Sequence, residues 1–364
     1  MNIQADKQFE ETEKFRLPAE WEPQWGVLLT WPHEYTDWAP YLQDIIDTMT
    51  VMAREIALRE NVVIVAWNKN LVPMDLQENE HVYITSFPTD DTWARDHGPI
   101  TLVRSESQGA KGGEQELPRW LDFKFNGWGE KFQADFDNLV PLKLRAFSSF
   151  YQYFDIEDHE DFVLEGGSIE CDGQGTVFTT SQCLLAPHRN QPLTQEEIEQ
   201  ELKCRLRVER IVWLDHGNLL GDDTDGHIDT IVRVAPDNTL VYVGCDDPDD
   251  AQYEDFQQLE AQLQSLRTVD DQPYRLLKLP MPAAIYEEDG ERLPATYANF
   301  LVINGAVLVP VYGQEENDRQ AMEVIRQAFP GREMVPIDSR TIIRQHGSVH
   351  CLTMQIPAIE ESEK

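Results

Sequence analysis

The chain has 364 residues, 41% of them hydrophobic, and its 30 Lys and Arg against 66 Asp and Glu give a net charge of −36. This length and apolar content predict a folded protein with a sizeable core and exclude a disordered chain. The charge argues against nucleic acid and anionic membrane surfaces as partners and favours a cationic small molecule, although most of the acids are expected to form a solvated surface.

Hydrophobic spacing predicts the elements in chain order. Apolar residues at intervals of three and four predict helices, and short apolar runs between turn residues predict strands. Thr194 and Glu197 form a capping box at the start of one helix. The predicted helices are 41–60, 195–206, 250–266 and 318–329. The predicted strands are 61–67, 81–87, 100–105, 121–127, three short strands within 161–180, 208–214, 229–235, 239–245, 299–303, 306–312, 333–338 and a last strand through Cys351.

Polar residues of chemical interest recur along the chain at near-even intervals. Asp96, Glu165, His227, Asn299 and Cys351 are separated by 69, 62, 72 and 52 residues. One fifth of the chain is about 73 residues, which is the scale of one supersecondary unit. The spacing indicates five units around an axis, each placing one residue at a strand end, and no linker divides the chain into separate domains.

The cysteines and the amino terminus indicate the compartment. The opening residues 1–15 are polar and acidic, so no signal peptide is predicted, and no apolar run approaches the length of a membrane span. Five scattered cysteines with no CxxC pair predict reduced thiols rather than a disulfide framework or a zinc site. The expected location is the cytoplasm.

Two carboxylates lie where the chain bends sharply. Asp96 is followed by Gly98 and Pro99, which exposes it at the mouth of a strand, and its alternative interpretation is a turn residue or a partner of Arg95. Glu165 follows an apolar run and precedes two glycines. Burial there would raise its pKa, although a simple turn between strands explains the pattern equally well.

His227 and Asp229 are predicted to alternate at the start of a strand, so both side chains face the same side. A histidine and a carboxylate that converge can act as a general acid/base beside a cation ligand. They can also be two metal ligands. Spacing alone leaves both interpretations open.

Cys351 lies in the segment HGSVHC, residues 346–351. A buried, inert thiol is the usual interpretation of a single cysteine, and it is the one adopted for the other four. His350 is adjacent to Cys351, and adjacent residues of a strand point to opposite faces. His350 is therefore not expected to act directly on the thiol.

Several ordered segments resemble the agmatine deiminase and bacterial-type peptidylarginine deiminase family. They are TWARDHGP, FNGWG, LEGGSIECDGQGTVFTT, DTDGHID, YANFLVINGAVLVPVYG and GSVHCLT, after an opening FRLPAEWEPQWGVLLTWPH. The resemblance covers residues 14–357 and implies one domain with an α/β pentein fold, a pseudo-symmetric five-bladed propeller of ββαβ units around a central site. Residues 1–13 and 358–364 are expected to be polar and acidic tails.

The resemblance also implies roles for individual residues. Cys351 would be the nucleophile and His227 the general acid/base. Asp96 and Asp229 would hold the guanidinium, and Glu165 would support the site as a third catalytic residue. Such an acidic site should raise the pKa of the free thiol. Two further candidates for substrate binding are Trp93 and Asn299.

The implied reaction is hydrolysis of a guanidinium through a covalent thiouronium, with no metal and no cofactor. Agmatine, giving N-carbamoylputrescine and ammonia, is the expected substrate, and peptidylarginine or free arginine is the alternative within the same chemistry. A metal-dependent hydrolase and a non-catalytic binding module are alternatives of other classes. His97 and His346 replace residues usual in the family and are expected near the substrate mouth, where they bear on substrate choice. A homodimer is left open.

Overall fold

The fold is given by a computed structural model that describes residues 14–105, 117–147 and 153–358. The two predicted terminal tails fall almost entirely outside these residues. Five separate sheets, two of four strands and three of three strands, account for the strands of the described part. The predicted α/β class is therefore confirmed.

The strands alternate with helices along the whole chain. In chain order they are β1 Phe15–Arg16, β2 Gln24–Thr30, β3 Asn61–Ala66, β4 Val82–Ser86, β5 Ile100–Arg104, β6 Arg119–Lys124, β7 Asp155–Val163, β8 Ile169–Cys171, β9 Thr176–Thr180, β10 Arg210–Leu214, β11 Val232–Ala235, β12 Thr239–Gly244, β13 Arg275–Pro280, β14 Leu301–Ile303, β15 Ala306–Val311, β16 Glu333–Asp338 and β17 Thr353–Pro357. Most lie within one to three residues of the predicted strands.

Five helices of two or more turns connect parallel strands within the sheets. They are α1 Leu42–Ala57, α2 Val140–Phe147, α3 Gln195–Leu206, α4 Tyr253–Ser265 and α5 Glu315–Ala328. The capping box that begins α3 is present, with Thr194 accepting from the Glu197 amide and Glu197 accepting from the Thr194 amide. Single helical turns occur at Met74–Gln77, Ala94–His97 and Ser181–Leu184, whereas Gly127–Glu130 forms a turn whose residues all have positive φ.

Each sheet repeats the same topology. An antiparallel pair is followed by a helix and then by a strand parallel to the second member, as in β11, β12, α4 and β13. The same ββαβ order holds for β5–β7, β8–β10 and β14–β16. The fifth unit joins the two ends of the chain, because β17 pairs antiparallel with β2 and β2 pairs parallel with β3. These units match the five intervals predicted from the sequence.

The apolar core lies between the sheets and the helices. Buried residues form three clusters, one of which is built largely from β11 to β15 with α4 and α5. Alternating and continuous apolar runs in the strands supply the residues of this core, and the apolar faces of the amphipathic helices pack over it. Within the described residues no helix is both long and apolar enough to cross a membrane, and all five cysteines are free thiols.

The connections into the first strand of each unit place the candidate site. Asp96 precedes β5, Glu165 precedes β8, His227 precedes β11, Asn299 precedes β14 and Cys351 precedes β17. Equivalent ends of five repeated units thus carry the five residues. Repetition of one unit brings together residues that are far apart in sequence.

Two local predictions were wrong. Cys351 lies in a turn, and the last strand begins only at Thr353. His227 precedes a 3-10 turn, Ile228–Thr230, and Asp229 lies within that turn, rather than the two alternating along a strand. Turns of this kind lack the periodic apolar pattern that identifies a strand, so the sequence could not separate them from the strands that follow.

Candidate active site

The predicted catalytic and guanidinium-binding side chains converge in one buried place. Glu165, His227 and Asp229 have no exposed surface, and Asp96 and Cys351 are each 4% exposed. Ion pairs, hydrogen bonds and close approaches link them to one another. Burial of this many ionisable groups is costly unless each has a compensating partner, so their proximity indicates a functional site.

Gly167 makes this convergence sterically possible. A Cβ atom at this position would lie 2.6 Å from His227 Nδ1, 2.9 Å from Asp96 Oδ1 and 3.1 Å from Asp229 Oδ2. The Gly167 amide also donates to Asp96 Oδ1 at 3.0 Å. Only a residue without a side chain leaves the histidine and the two carboxylates this close to the same backbone.

Asp96 is fixed by two donors. Besides the Gly167 amide, Trp128 Nε1 donates to Asp96 Oδ2 at 2.9 Å. Burial raises the pKa of Asp96 and the nearby Asp229 carboxylate adds to this, whereas His227 opposes it. The helical turn that carries Asp96 is tied to the nucleophile loop, because the Arg95 amide donates to the Cys351 carbonyl at 3.1 Å.

His227 is surrounded by acidic groups. Its Nδ1 lies 3.7 Å from Asp96 Oδ1, and neither ring nitrogen has a hydrogen-bond partner among the described residues. Burial opposes protonation, but Asp96, Cys183 and Glu165 outweigh it and hold the pKa of His227 well above its usual value. The protonated ring is therefore the resting form at neutral pH, ready to donate a proton.

Asp229 has one occupied and one unoccupied oxygen. His350 Nδ1 donates to Asp229 Oδ2 at 2.7 Å, and Asp229 Oδ1 has no hydrogen-bond partner within the described part of the chain. Burial alone would raise the pKa of Asp229, but the His350 hydrogen bond and charge lower it below its usual value. The side chain thus remains a carboxylate with a free acceptor.

The Cys351 thiol lies beside that carboxylate, with Sγ 3.8 Å from Asp229 Oδ2. Burial, followed by the charges of Asp229 and Asp96, raises the pKa of Cys351 well above its usual value. This agrees in direction with the sequence expectation. The unliganded protein therefore holds Cys351 as a thiol near neutral pH.

Asn299 connects the nucleophile loop to the Asp229 loop. Its Oδ1 accepts from the His350 amide at 2.9 Å and the Cys351 amide at 3.2 Å, and its Nδ2 donates to the Asp229 carbonyl at 3.3 Å. These contacts position the backbone of both loops. A direct role of Asn299 in substrate binding stays a prediction.

Trp93 packs against the same loop. A Cβ atom on Gly347 would lie 2.1 Å from the Trp93 ring, so the glycine is required for this contact. Trp93 Nε1 donates to Asp91 Oδ2 at 3.1 Å, which fixes the ring. Trp93 borders the loop that carries Cys351, and its predicted contact with substrate is not tested by these distances.

Glu165 is held by an arginine that the sequence analysis missed. Arg189 Nε donates to both Glu165 oxygens, at 3.0 and 3.3 Å, and Arg189 also binds Asp225 Oδ2 at 2.7 Å and the Thr224 carbonyl at 2.8 Å. The Arg189 side chain is completely buried at this ion pair. No motif or spacing in the sequence connects it with Glu165, so only the fold could identify it.

Among the described residues, two clusters have donor atoms close enough together to bind one metal ion. One is Glu165, Cys183 and His227, and the other is Glu20, Glu170 and His350. A buried guanidinium already binds each cluster, Arg189 at Glu165 and Arg233 at Glu20 and Glu170. A divalent cation would face that fixed positive charge, so neither cluster suits a metal.

The two unusual histidines differ in environment. His97 is buried, with Nε2 2.8 Å from Thr30 Oγ1, and burial lowers its pKa to about 3. Its ring lies beside Phe125, and its expected place near the substrate mouth stays a prediction. His346 is half-buried in a left-handed conformation at the start of the nucleophile loop, with Nδ1 2.7 Å from the Gly221 carbonyl.

Known proteins resemble this chain along nearly its whole length. Residues 16–357 match the family described as Porphyromonas-type peptidyl-arginine deiminase. A putative agmatine deiminase of Marinomonas sp. is 34% identical, with 94% of each chain covered. An agmatine deiminase of Medicago truncatula is 32% identical and covers 95% of this chain and 97% of its own.

Solved structures of similar proteins have the same fold. A cysteine-to-serine variant of the C. jejuni agmatine deiminase with substrate bound superposes with a TM-score of 0.85 and 34% identity, covering 95% of this chain and 97% of its own. A putative arginine deiminase from Porphyromonas gingivalis gives a TM-score of 0.84 and 44% identity, covering 94% and 98%. The fold is thus the pentein fold, and the chain belongs to the Porphyromonas-type peptidyl-arginine deiminase family.

Proposed function

We propose that this chain is an agmatine deiminase that converts agmatine and water to N-carbamoylputrescine and ammonia. The observation that carries the proposal is the set of unpartnered polar atoms in the buried site. Asp229 Oδ1 and both nitrogens of His227 have no hydrogen-bond partner among the described residues. The unpartnered Asp229 oxygen, next to a thiol and a second carboxylate, suits a planar cation that donates several hydrogen bonds, and the unpartnered N–H groups of protonated His227 can deliver a proton to a leaving group.

The first half of the reaction forms a covalent intermediate. Asp96 and Asp229 hold the guanidinium flat and in line with the Cys351 sulfur. The substrate's positive charge offsets the acidic surroundings that disfavour the thiolate, so the thiol releases its proton to solvent as substrate binds. The thiolate attacks the guanidinium carbon, the C–N bond breaks, and His227 transfers a proton to the departing ammonia.

The second half releases the product. His227, now neutral, takes a proton from water, and the resulting hydroxide attacks the thiouronium carbon. The C–S bond breaks, the proton of the added hydroxyl passes to the departing sulfur and regenerates the resting thiol, and the carbon keeps the oxygen as a ureido group. Glu165, with Arg189 fixing its orientation, stabilises the protonated form of His227 before the first half and after the second. The protein's own thiol supplies the covalent step, and the proposed route uses no cofactor.

Agmatine suits the site for electrostatic reasons. It carries two positive charges and no carboxylate, and the chain carries a net charge of −36. Relatives that cover nearly the whole chain are named agmatine deiminase, among them the Medicago truncatula protein. The chemistry of the site and the names of these relatives point to the same substrate.

Peptidylarginine or free arginine is the second candidate. The family description names peptidyl-arginine, and the Porphyromonas gingivalis structure is described as a putative arginine deiminase. Recognition of the α-carboxylate of free arginine requires a cation that is not already neutralised. Arg189 is paired with Glu165 and Asp225, and Lys131 lies 2.8 Å from Asp225 Oδ1, so these two cations already have carboxylate partners.

The setting of the enzyme follows from simpler features. Reduced thiols and small-molecule chemistry favour the cytoplasm, and we retain this location as part of the proposal.

A homodimer is one assembly consistent with the proposal. Sedimentation of the purified protein across a concentration series distinguishes a dimer from a monomer.

One thiol is expected to account for turnover. Cys351→Ser should abolish ammonia release from agmatine, because a hydroxyl is a far weaker nucleophile here than a thiolate. The matched variants Cys171→Ser, Cys204→Ser and Cys245→Ser should retain most of the activity. Ammonia release is measured with agmatine, arginine and a peptidylarginine in parallel. Retained turnover in Cys351→Ser would exclude the covalent route.

The two carboxylates that grip the guanidinium should be needed for catalysis. Asp96→Asn and Asp229→Asn keep the side-chain shape but each removes one charge-assisted contact. Each should lower kcat/KM for agmatine by at least about 100-fold. Steady-state kinetics give this ratio, and far-ultraviolet circular dichroism checks the fold. A loss below tenfold in both variants would show that they do not hold the substrate.

The free thiol should be unreactive at neutral pH. Because burial and two carboxylates raise the pKa of Cys351, its thiolate fraction is small at pH 7 and grows as the pH passes the raised value. Inactivation by iodoacetamide should therefore accelerate with pH through an apparent pKa above the roughly 8.5 of an ordinary thiol. Glutathione is the reference thiol. An apparent pKa at or below that of glutathione would contradict the proposed resting state.

A further inference from the structure

We propose that His350 is a positioning residue that orients Asp229 and keeps it ionised for substrate binding. This inference rests on the proposed function, since it concerns the same site. His350 lies next to the nucleophile in sequence, and its ring and the Cys351 thiol both lie beside Asp229 Oδ2. Its Nδ1 donates to Asp229 Oδ2 at 2.7 Å, and the ring is fully buried.

The hydrogen bond determines which Asp229 oxygen meets the substrate. Oδ2 is occupied by His350, whereas Oδ1 has no hydrogen-bond partner within the described residues. A carboxylate can accept several hydrogen bonds, but its orientation is fixed only when one oxygen is held. The contact with His350 therefore leaves Oδ1 as the fixed, available acceptor for a guanidinium.

A second contact fixes the His350 ring from its other side. Nε2 lies 2.8 Å from Glu20 Oε2 and 3.0 Å from the Arg233 guanidinium. Arg233 in turn binds Glu20 and, through Nε at 2.6 Å, Glu170 Oε1. With both ring nitrogens engaged, the imidazole cannot turn to offer Asp229 a carbon edge.

The charges of this network favour an ionised Asp229. The groups that face the ring are the Asp229 and Glu20 carboxylates and the Arg233 guanidinium, with Glu170 beyond Arg233 and Arg95 donating to the His350 carbonyl. A carboxylate buried without such a donor would take up a proton and lose its attraction for a cation. His350 thus maintains a negative charge in a place with no exposed surface.

The backbone of the same residue helps to position the nucleophile. The His350 and Cys351 amides both donate to Asn299 Oδ1. One short segment therefore sets the thiol and the acceptor carboxylate relative to each other. A displacement of the His350 ring is expected to impair binding of the guanidinium more than the intrinsic reactivity of the thiol.

A pair of isosteric amides separates positioning from simple packing. His350→Asn keeps a donor near the place of Nδ1, so it can still bind Asp229, whereas His350→Gln places its amide near Nε2 and reaches toward Glu20 instead. His350→Leu removes both contacts at similar volume. In a Cys351→Ser background, which prevents turnover, the affinity for agmatine is measured by titration calorimetry.

We expect His350→Leu and His350→Gln to weaken agmatine binding by about 10- to 100-fold, the usual effect of losing a hydrogen bond to a charged group. His350→Asn should stay within about fivefold of its parent, because it restores the donor to Asp229. With Cys351 intact, the same order should appear in KM for agmatine. Iodoacetamide inactivation without substrate should not slow in any of the three variants, since the ring does not hold the thiol and a less ionised Asp229 raises the pKa of Cys351 less.

Equal binding by the Asn and Gln variants would overturn the positioning role, as would unchanged binding in His350→Leu. If His350→Leu does not fold, the Asn and Gln pair alone decides. Failure of the proposed function looks different: the wild type would release no ammonia from any guanidinium compound, and Cys351→Ser would bind none. That result would remove both proposals, whereas an active wild type with indifferent His350 variants removes only this one.

Discussion

The burial of three carboxylates around His227, two of them also beside the Cys351 thiol, is the constraint on which the rest of the site depends. Asp96, Glu165 and Asp229 are almost wholly removed from water, where charge is expensive. Each has its own compensation: the Trp128 and Gly167 donors at Asp96, Arg189 at Glu165, and His350 at Asp229. Together the carboxylates form a negatively charged site beside the sulfur, which suits a planar cation.

The fold supplies this arrangement by repetition. The connection that leads into the first strand of each ββαβ unit ends at an equivalent position. Five short segments that are distant in sequence therefore meet at one site. The backbone of Cys351 is fixed by Asn299 and by the turn that carries Asp96. These two contacts connect the nucleophile to two other units. Rigid backbone contacts of this kind hold the reacting groups in place before the substrate arrives.

Much of the fold and of the site could be predicted from the sequence. The apolar periodicity and the ordered motifs are recognisable even though the five units share no visible sequence repeat. Helix α2 and strand β13 were missed, since α2 is short and contains Pro141 and β13 is mostly half-exposed. The roles of Arg189 and His350 were also missed. Their partners lie 24 and 121 residues away, and no local pattern records a buried ion pair across such a separation.

The central claim is that the Cys351 sulfur bonds to the substrate's guanidinium carbon, and intact-protein mass spectrometry tests it most directly. In His227→Gln the adduct should form slowly, because ammonia leaves without its proton donor, and should not be hydrolysed, because the base that activates water is also gone. Acid quenching of this variant at long times after mixing with agmatine, and of the wild type during turnover, should trap a species heavier by agmatine less ammonia. Peptide mapping should place the added mass on Cys351, and a Cys351→Ser background should remove it. If the wild type releases ammonia from agmatine while neither it nor His227→Gln gives an adduct on Cys351 at any quench time, and a stoichiometric metal is present instead, the account is contradicted.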